Sequence, residues 1–433
     1  MNRPYRESVA YLYGLQRHGI KLGLETIDRL LSRLGTPQAR YRSVHIGGTN
    51  GKGSTAAMAA SILQAAGYRV GLYTSPHLVD YRERIRVSGL MSGEDEVVDL
   101  VRIVREAAGT DLAPTFFEFN TAMAFYAFAE AKVDLAVVEV GMGGRYDATN
   151  VLRPLASAIT TVALDHQEQL GPTVEAIAAE KAGIVKAGVP VVTGRLAPEA
   201  DRVIDRVAND RRARRFRLGR EFWAEGESSA DFSYHSEFRR LTGLSLPLSG
   251  IHQMDNAACA VALLEAAAER GIRLTDEALR KGLHDVTWEG RLEVIEREPL
   301  VVLDGAHNPA AADAVARYLS EFRQGHPGCR VHLVMGMMRD KDMAGILSSL
   351  TSVADHVTLT HVDMPRAATV EELRACLPPD GPTVEAVDSV ADALDRAKRR
   401  ASSSDLICVT GSLMLVGEVK ALLKGCHLSP ISG

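Results

Sequence analysis

The sequence predicts an α/β protein in two parts. The first is an N-terminal P-loop domain with a mostly parallel sheet and a small antiparallel β region; the second is a C-terminal Rossmann-like α/β domain. Three observations predict this. Short β-branched runs alternate with longer Ala/Leu-rich segments, the pattern of parallel strands covered by helices. A glycine-rich turn with one lysine, "GGTNGKGST", joins the strand-like "SVHI" to the helix-like "AAMAASILQAAG". A fresh strand–loop–helix unit, "LVVLDGAHNPAA", opens at Leu300.

A chain of 433 residues is too long for one ordinary core. We expect domains over 1–293 and 294–433, parting within Trp288–Pro299. Strands are expected at "RSVHIGG", "RVGLYTS", "DLAVVEVG", "LASAITTVA", "VPVVTG", "PLVVLDG", "RVHLVMG", "HVTLTHV" and "SDLICVTG". Helices are expected over Gly53–Ala66, Thr121–Ala131, Val174–Val185, Asn256–Arg270, Pro309–Phe322 and Ser389–Arg400. Phe232–Gly250 has short alternating segments and reads as small antiparallel strands.

Composition narrows the function. Apolar content of 46% and charged content of 24% describe a globular, soluble chain. A net charge of −5 argues against a general nucleic-acid binder. Cys259, Cys329, Cys376, Cys408 and Cys426 are scattered and form no C-x-x-C clip. That suits reduced thiols in the cytoplasm. The polar N-terminal segment lacks a signal-peptide apolar stretch. No apolar run reaches the roughly 20 residues of a membrane span.

The usual phosphate loop, G-x-x-x-x-G-K-[ST], puts a hydroxyl directly after its lysine. Here Gly53 follows Lys52, and the hydroxyls come at Ser54 and Thr55. A strand before and a helix after still make a phosphate cradle of backbone N–H groups. Asn50, Gly51, Lys52, Gly53, Ser54 and Thr55 are therefore candidate ATP contacts. Lys52 suits the β/γ-phosphates, and Ser54 or Thr55 suits phosphate or Mg²⁺.

The form "GTNGKGST" resembles the loop of the Mur ligase superfamily, and within it the folylpolyglutamate synthase/dihydrofolate synthase family. The same resemblance runs through "YLYGLQRHGIKLGLETIDRLLSRLGTPQ", "YTSPHL", "TFFEFNTAMAF", "VVEVGMGGRYDATN", "LDHQEQLG", "AAEKAGIVK", "LDGAHNPAA" and "VTGSLMLVGEV". These stretches follow the family's order from about Tyr11 to Val419. The resemblance implies an ATP-dependent ligase that adds L-glutamate to a folate or to dihydropteroate through an acyl phosphate. It also implies a monomer whose partners are small molecules, with no nucleic acid and no membrane. Two readings compete. A cell-wall amino-acid ligase carries a nucleotide-sugar domain before the loop, but the residues before Gly47 read as helices. A P-loop switch gives no account of "LDGAHN" or "EKAGI".

Residue roles follow from the residues and then from the resemblance. Glu139 ends the apolar run "DLAVVEV", where a carboxylate is costly unless paired; an arginine or a Mg²⁺ ion would pair it. His166, taken alone, is a satisfied polar residue at a strand end, with Asp165 beside it to orient the ring. Lys181, taken alone, is a solvated lysine on an amphipathic helix, and Ser75 belongs to a Ser-Pro turn. The resemblance makes Ser75, Glu139 and His166 contacts to Mg²⁺, two ions in all. It makes Lys181, rather than nearby Lys186, a lysine carbamylated by CO₂, and the carbamate a further contact to Mg²⁺.

Asn256 reads as a helix N-cap, and the resemblance adds a nucleotide contact. Arg291 suits a phosphate clamp near the hinge. Asp304 suits a ribose hydroxyl, and His307 resembles a residue near the γ-phosphate. Lys52, Lys181 and His307 are the candidate catalytic residues. Thr115, Phe116, Phe117 and Glu118 match the pterin segment, with core packing the alternative for the two rings. The resemblance adds Tyr146, Asp147 and Ala148 to the pteroate site. Tyr146 stands where the family has Leu or Phe, and Arg82 and Ser88 replace asparagines. These departures bear on which folate is preferred.

Overall fold

The computed structural model describes residues 2–18, 23–379, 381–426 and 428–429. Residues 19–22, inside the N-terminal stretch that carries part of the resemblance, lie outside the described residues.

The described strands form three sheets. The first contains β1 (Arg42–Gly47), β2 (Val70–Tyr73), β3 (Ile85–Val87), β4 (Leu90–Met91), β5 (Leu135–Glu139), β6 (Ala156–Ile159), β7 (Val191–Thr193) and β8 (Arg215–Arg217). Its order is β4-β3-β2-β5-β1-β6-β7-β8, parallel except at the β3/β4 edge. The second is an antiparallel meander of β9 (Phe222–Ser228), β10 (Asp231–Ser236) and β11 (Arg240–Leu244). It begins upstream of the expected Phe232. The third contains β12 (Glu293–Arg297), β13 (Leu300–Leu303), β14 (Val331–Met335), β15 (His356–Thr360), β16 (Thr383–Val387) and β17 (Leu406–Thr410). Its order is β12-β13-β17-β14-β15-β16, with only the β12–β13 pair antiparallel.

Every strand expected from the sequence is present. Those not anticipated, β3, β4, β8, β9, β12 and β16, are short or lie at sheet edges, where a half-solvated strand carries no continuous apolar run. Helix bounds needed more correction. The helix expected from Thr121 begins at Phe116, because Thr115 and Glu118 form a capping box. The helix expected from Asn256 begins at Ile251 after Gly250, whose φ of 95° breaks the chain there. Asn256 is therefore a buried residue inside the helix and not its N-cap.

Alternating strand residues face opposite layers. In the third sheet Val302, Val331, Leu333, Met335 and Val357 pack on the side of helices Pro309–Gly325 and Met343–Thr351. Val301, Leu303, Val334, Ile407 and Val409 pack on the side of Val390–Arg400 and Leu413–Lys424. In the first sheet Val44, Ile46 and Val137 meet the Ala-rich helices Lys52–Ala65 and Ile251–Ala268. Ala136, Val138 and Tyr73 meet the helix Phe116–Glu130 on the other side. Small residues let backbones close in: a Cβ on Gly282 would fall 2.3 Å from Ile62 Cα.

Strand β1 lies between β5 and β6, with Ile46 opposite Glu139 and Gly47 opposite Ile159. The carboxyl ends of three strands thus sit together, where open α/β sheets hold ligands. The loop after β13 reaches the same place: Asn308 exchanges hydrogen bonds with Asn50.

Candidate active site

The phosphate loop is shaped by its glycines. Gly48 and Gly51 have φ of 139° and 84°, a region open to glycine. A Cβ on Gly48 would fall 2.0 Å from Thr160 Oγ1, and one on Gly51 2.3 Å from Asn256 Oδ1. Gly53, the extra glycine, lies under an indole: a Cβ there would sit 3.0 Å from the Trp288 ring. Side chains just after β6 hold the loop in place. Thr161 Oγ1 accepts from Asn50 N–H at 2.9 Å, and Thr160 Oγ1 donates to Asn50 O at 2.6 Å. Lys52 Nζ donates to Thr49 O at 3.1 Å. Ser54 and Thr55 are buried in the first helical turn. Thr55 Oγ1 has no protein partner, so a phosphate or a metal-bound ligand would satisfy it.

Beside the loop, Glu139 is 4% exposed and accepts the Ser75 N–H at 3.1 Å. Burial raises its pKa, with Lys52 and then the Ser75 N–H opposing. Ser75 is thus brought to Glu139.

Lys181 differs from its solvated reading. It is 4% exposed, and its Nζ donates to Gly48 O at 2.9 Å, directly under the loop. Burial, then Lys52, bring its pKa down to about 7. Its helix ends at Ala182, short of the expected Val185. Lys186 lies outside that helix and donates to Asn150 O at 2.6 Å.

His166 lies in the loop beyond β6, with φ of 49°, rather than at the strand end. Burial takes its pKa down to about 4, so the imidazole is neutral. Asp165 beside it spans the cleft. It accepts from Lys341 Nζ at 2.7 Å and from Asn308 Nδ2 at 3.3 Å, and lies 3.8 Å from His307 Nε2. Despite burial, its carboxyl is held well below the usual range by His166, Lys341 and His307.

From the third sheet, Asp304 follows β13 and is buried. Its Oδ2 accepts Leu292 N–H at 2.9 Å and its Oδ1 accepts Ala306 N–H at 2.8 Å. His307 holds Gly305 O through Nδ1 at 2.8 Å, leaving Nε2 toward Asp165. Burial lowers its pKa. The charge of Arg291 is felt by Asp304 on one side and Glu139 on the other. Its Nη1 donates to Gly290 O at 2.9 Å.

The expected pterin residues divide. Phe117 and Asp147 meet at Gly141, where a Cβ would lie 3.3 Å and 3.2 Å from them. Phe116 is core-like: it stacks on Tyr13 with centroids 5.4 Å apart, and the Arg84 guanidinium lies 5.3 Å from its ring centroid. Thr115 and Glu118 are joined in the capping box, with Glu118 Oε2 accepting Thr115 N–H at 2.7 Å. Tyr146 is exposed and Ala148 is buried. Asp147 accepts the N–H groups of Met142 and Thr149, both at 3.0 Å. It also accepts the Thr149 hydroxyl.

Four residues of the site escaped the sequence reading. Asn308 had a signal, since Asn before Pro marks a helix start, and it caps Pro309–Gly325 through Ala311 N–H. Lys341 and Trp288 carried none. His45 sits in the loop's own strand, fully buried, with Nε2 2.8 Å from Thr149 Oγ1; periodicity marks it only as core.

Comparison with known proteins adds independent findings. The model of the Mur ligase middle domain matches residues 46–264, and that of the Mur ligase, glutamate ligase domain matches 290–413. The phosphate loop, the cleft and these two domains define an ATP-dependent ligase. A dihydrofolate synthase/folylpolyglutamate synthase of Bacillus subtilis is 36% identical, covering 98% of this chain and all of that protein. The Escherichia coli enzyme FolC, solved with DHPP and ADP, has 36% identity and a TM-score of 0.89, over 98% of both chains. A Yersinia pestis bifunctional enzyme, solved with AMPPNP and Mn, has 35% identity and a TM-score of 0.88, again over 98% of both. The chain belongs to the folylpolyglutamate synthase/dihydrofolate synthase family.

Proposed function

We propose that this chain joins L-glutamate to the carboxylate of a folate, of dihydropteroate, or of both, using ATP. The observation that carries the reading is the meeting of Lys52 and Glu139 of the first sheet with Arg291, Asp304 and His307 of the third in one cleft. We assign 1–293 to the phosphate loop and pterin site and 294–433 to the glutamate-ligase part. The reading is of a cytoplasmic monomer with small-molecule partners. Its cysteines are free, and no described helix is long and apolar enough to cross a membrane.

The reaction needs two displacements. A substrate carboxylate oxygen attacks the γ-phosphorus, the bond to the β–γ bridging oxygen breaks, and ADP leaves. The amine of L-glutamate then attacks the acyl carbon, the C–O bond to phosphate breaks, and the nitrogen loses a proton. Positioning and charge neutralisation do most of the work. Backbone N–H groups around Gly51–Ser54 cradle phosphate oxygens, and Lys52 and Arg291 balance their charge. His307 presents Nε2 to the transferring group, Asn256 flanks the loop, and Asp304 takes the ribose side. Phe117 and Asp147 face the pterin, with Thr115, Phe116, Glu118, Tyr146 and Ala148 around them.

A divalent cation fits this donor set. Among the described residues no cluster of three or more His, Cys, Asp or Glu is suited to a metal. Glu139 and neutral His166 would hold Mg²⁺, two ions in all, with Ser75, Ser54 and phosphate oxygens, as Mg²⁺ prefers few protein ligands. The ion supplies charge neutralisation at the phosphates. A cationic Lys181 would oppose that. Its pKa of about 7 leaves much of the amine neutral, the form that takes up CO₂ as a carbamate with loss of a proton. The test is phosphate release with ATP and L-glutamate, with and without dihydropteroate or a tetrahydrofolate. Release that ignores both acceptors sinks the reading; release with dihydropteroate alone, a tetrahydrofolate alone, or both sorts the two activities.

A further inference from the structure

Away from the phosphates, a buried lysine lies against the turn that carries Arg291. Lys420 is 3% exposed, on the helix Leu413–Lys424. Its Nζ lies 2.5 and 2.7 Å from the two Glu293 oxygens and 3.1 Å from Glu289 Oε2. Glu293 Oε2 also accepts Gly290 N–H at 2.7 Å. Gly290 O then accepts two donors, Arg291 Nη1 at 2.9 Å and Gly305 N–H at 3.0 Å. One continuous set of bonds thus runs from Lys420 to the Arg291 guanidinium and to the loop that carries Asp304 and His307.

Packing holds the turn against the same helix. Gly290 has φ of 69°, and a Cβ there would meet Leu78 Cδ1 and Val416 Cγ1, both at 3.1 Å. Val416 and Lys420 are four apart and share a helix face, so one contact fills the space under the turn and the other fixes its polar edge. A buried lysine–carboxylate pair is a poor source of net stability, since well-packed apolar residues often serve as well. Its value here is geometric: without Glu293 held in place, the Gly290 N–H loses its acceptor and the turn is free to re-aim Arg291.

We propose that Lys420 is a positioning residue for nucleotide binding, acting through Glu293 and the Gly290 turn on Arg291. The inference rests on the reading of Arg291 as a phosphate clamp, and the experiment separates the two. Initial rates against ATP, at saturating acceptor and L-glutamate, give kcat and KM for Lys420→Met, Lys420→Arg, Arg291→Ala and the Lys420→Met/Arg291→Ala double variant. Lys420→Met raises KM for ATP about tenfold with kcat within about threefold, and Lys420→Arg stays within about threefold of the parent in both. In the Arg291→Ala background the second change adds no further rise, because both act through one group. Multiplying effects, or an unchanged KM in Lys420→Met, overturn the role of Lys420. An unchanged KM in Arg291→Ala overturns the clamp and the inference together. If Lys420→Met does not fold, Glu293→Gln takes its place. It keeps an acceptor for Gly290 N–H but loses the charge that holds Lys420, and an unchanged KM there overturns the proposal.

Discussion

The two walls of the cleft are both strand–loop–helix units, but they are built differently. In the first-sheet wall the loop is shaped by backbone: Gly48 and Gly51 take φ values open to glycine, and Lys52 is held by one carbonyl at 3.1 Å. In the third-sheet wall the loop is shaped by side chains. Asp304 accepts two backbone N–H groups, His307 ties back to Gly305 O, and Asn308 caps the helix. Lys52, on the first wall, is nearly free of structural duty, while Asp304 and His307 on the second are fastened into the loop they serve. Substitutions should therefore separate activity from stability on one side and not on the other.

The largest effect belongs to Lys52→Ala. Loss of positive charge at the transferring phosphoryl group should lower kcat/KM by about 10³-fold or more. The thermal midpoint should stay within about 2 °C, since a single part-buried hydrogen bond to one carbonyl is worth only about 1 kcal/mol. Phosphate release and a melt on the same preparation check both halves. Near-normal turnover, or a fall in stability matching the fall in activity, breaks the contrast.

Lys181→Ala comes next, at about 10²-fold. The carbamate proposal adds a signature: acetate, entering the space of the truncated side chain, should restore part of the rate. Lys186→Ala, which removes a bond to Asn150 O, should be much milder. Full activity in Lys181→Ala refutes the proposal.

On the opposite wall, Asp304→Ala should cost stability as well as activity. Two buried N–H groups, of Leu292 and Ala306, lose their acceptor. At about 1–3 kcal/mol for each unsatisfied group, a loss of roughly 2–6 kcal/mol in urea unfolding is expected. Asp304→Asn keeps one acceptor and should fall between. A variant as stable as the parent would show that this loop is no more self-fastened than the other.

The contrast also explains what was legible in the sequence. The parallel strands could be read because both faces are covered and their apolar runs are continuous. The glycine loop could be read because backbone geometry demands glycine at fixed spacing. Helix starts at Phe116 and Ile251 were missed, since a capping box and a positive-φ glycine outweigh apolar periodicity. Burial of Lys181 was hidden as well: a lysine reads as solvated by its type, although it stands four residues after Ile177 on the buried face of its helix and donates to Gly48 O. Asp165 and Lys341 meet across 176 residues of chain. Such a contact belongs to tertiary structure alone, and no local pattern announces it.

The smallest expected effect is a pH dependence rooted under the first loop. His45 lies in β1, fully buried, with Nε2 2.8 Å from Thr149 Oγ1. The Thr149 hydroxyl donates onward to Asp147 Oδ1, so His45 Nε2–H is the donor in that bond. Burial, and then the charge of Lys186, lower its pKa from 6.5 to about 3. Above 6.5 the ring is neutral in both the folded and unfolded states, and its contribution to stability is fully present. Below 6.5 the unfolded chain takes up a proton that the folded one refuses, so stability falls as pH drops, down to about 3. Each pH unit costs about 1.4 kcal/mol, so roughly 2 kcal/mol should be lost between pH 6.5 and pH 5. His332, buried in the third sheet, faces Asp405 at 3.3 Å, and that carboxylate opposes the effect of burial on its ring. The acid sensitivity should therefore be carried more by the first sheet than by the third. Urea unfolding at pH 7 and pH 5 measures it. His45→Gln, which keeps a donor for Thr149 but cannot titrate, should flatten the dependence by about that 2 kcal/mol, and His332→Gln by less. Equal slopes in the parent and His45→Gln would place the acid sensitivity elsewhere in the molecule.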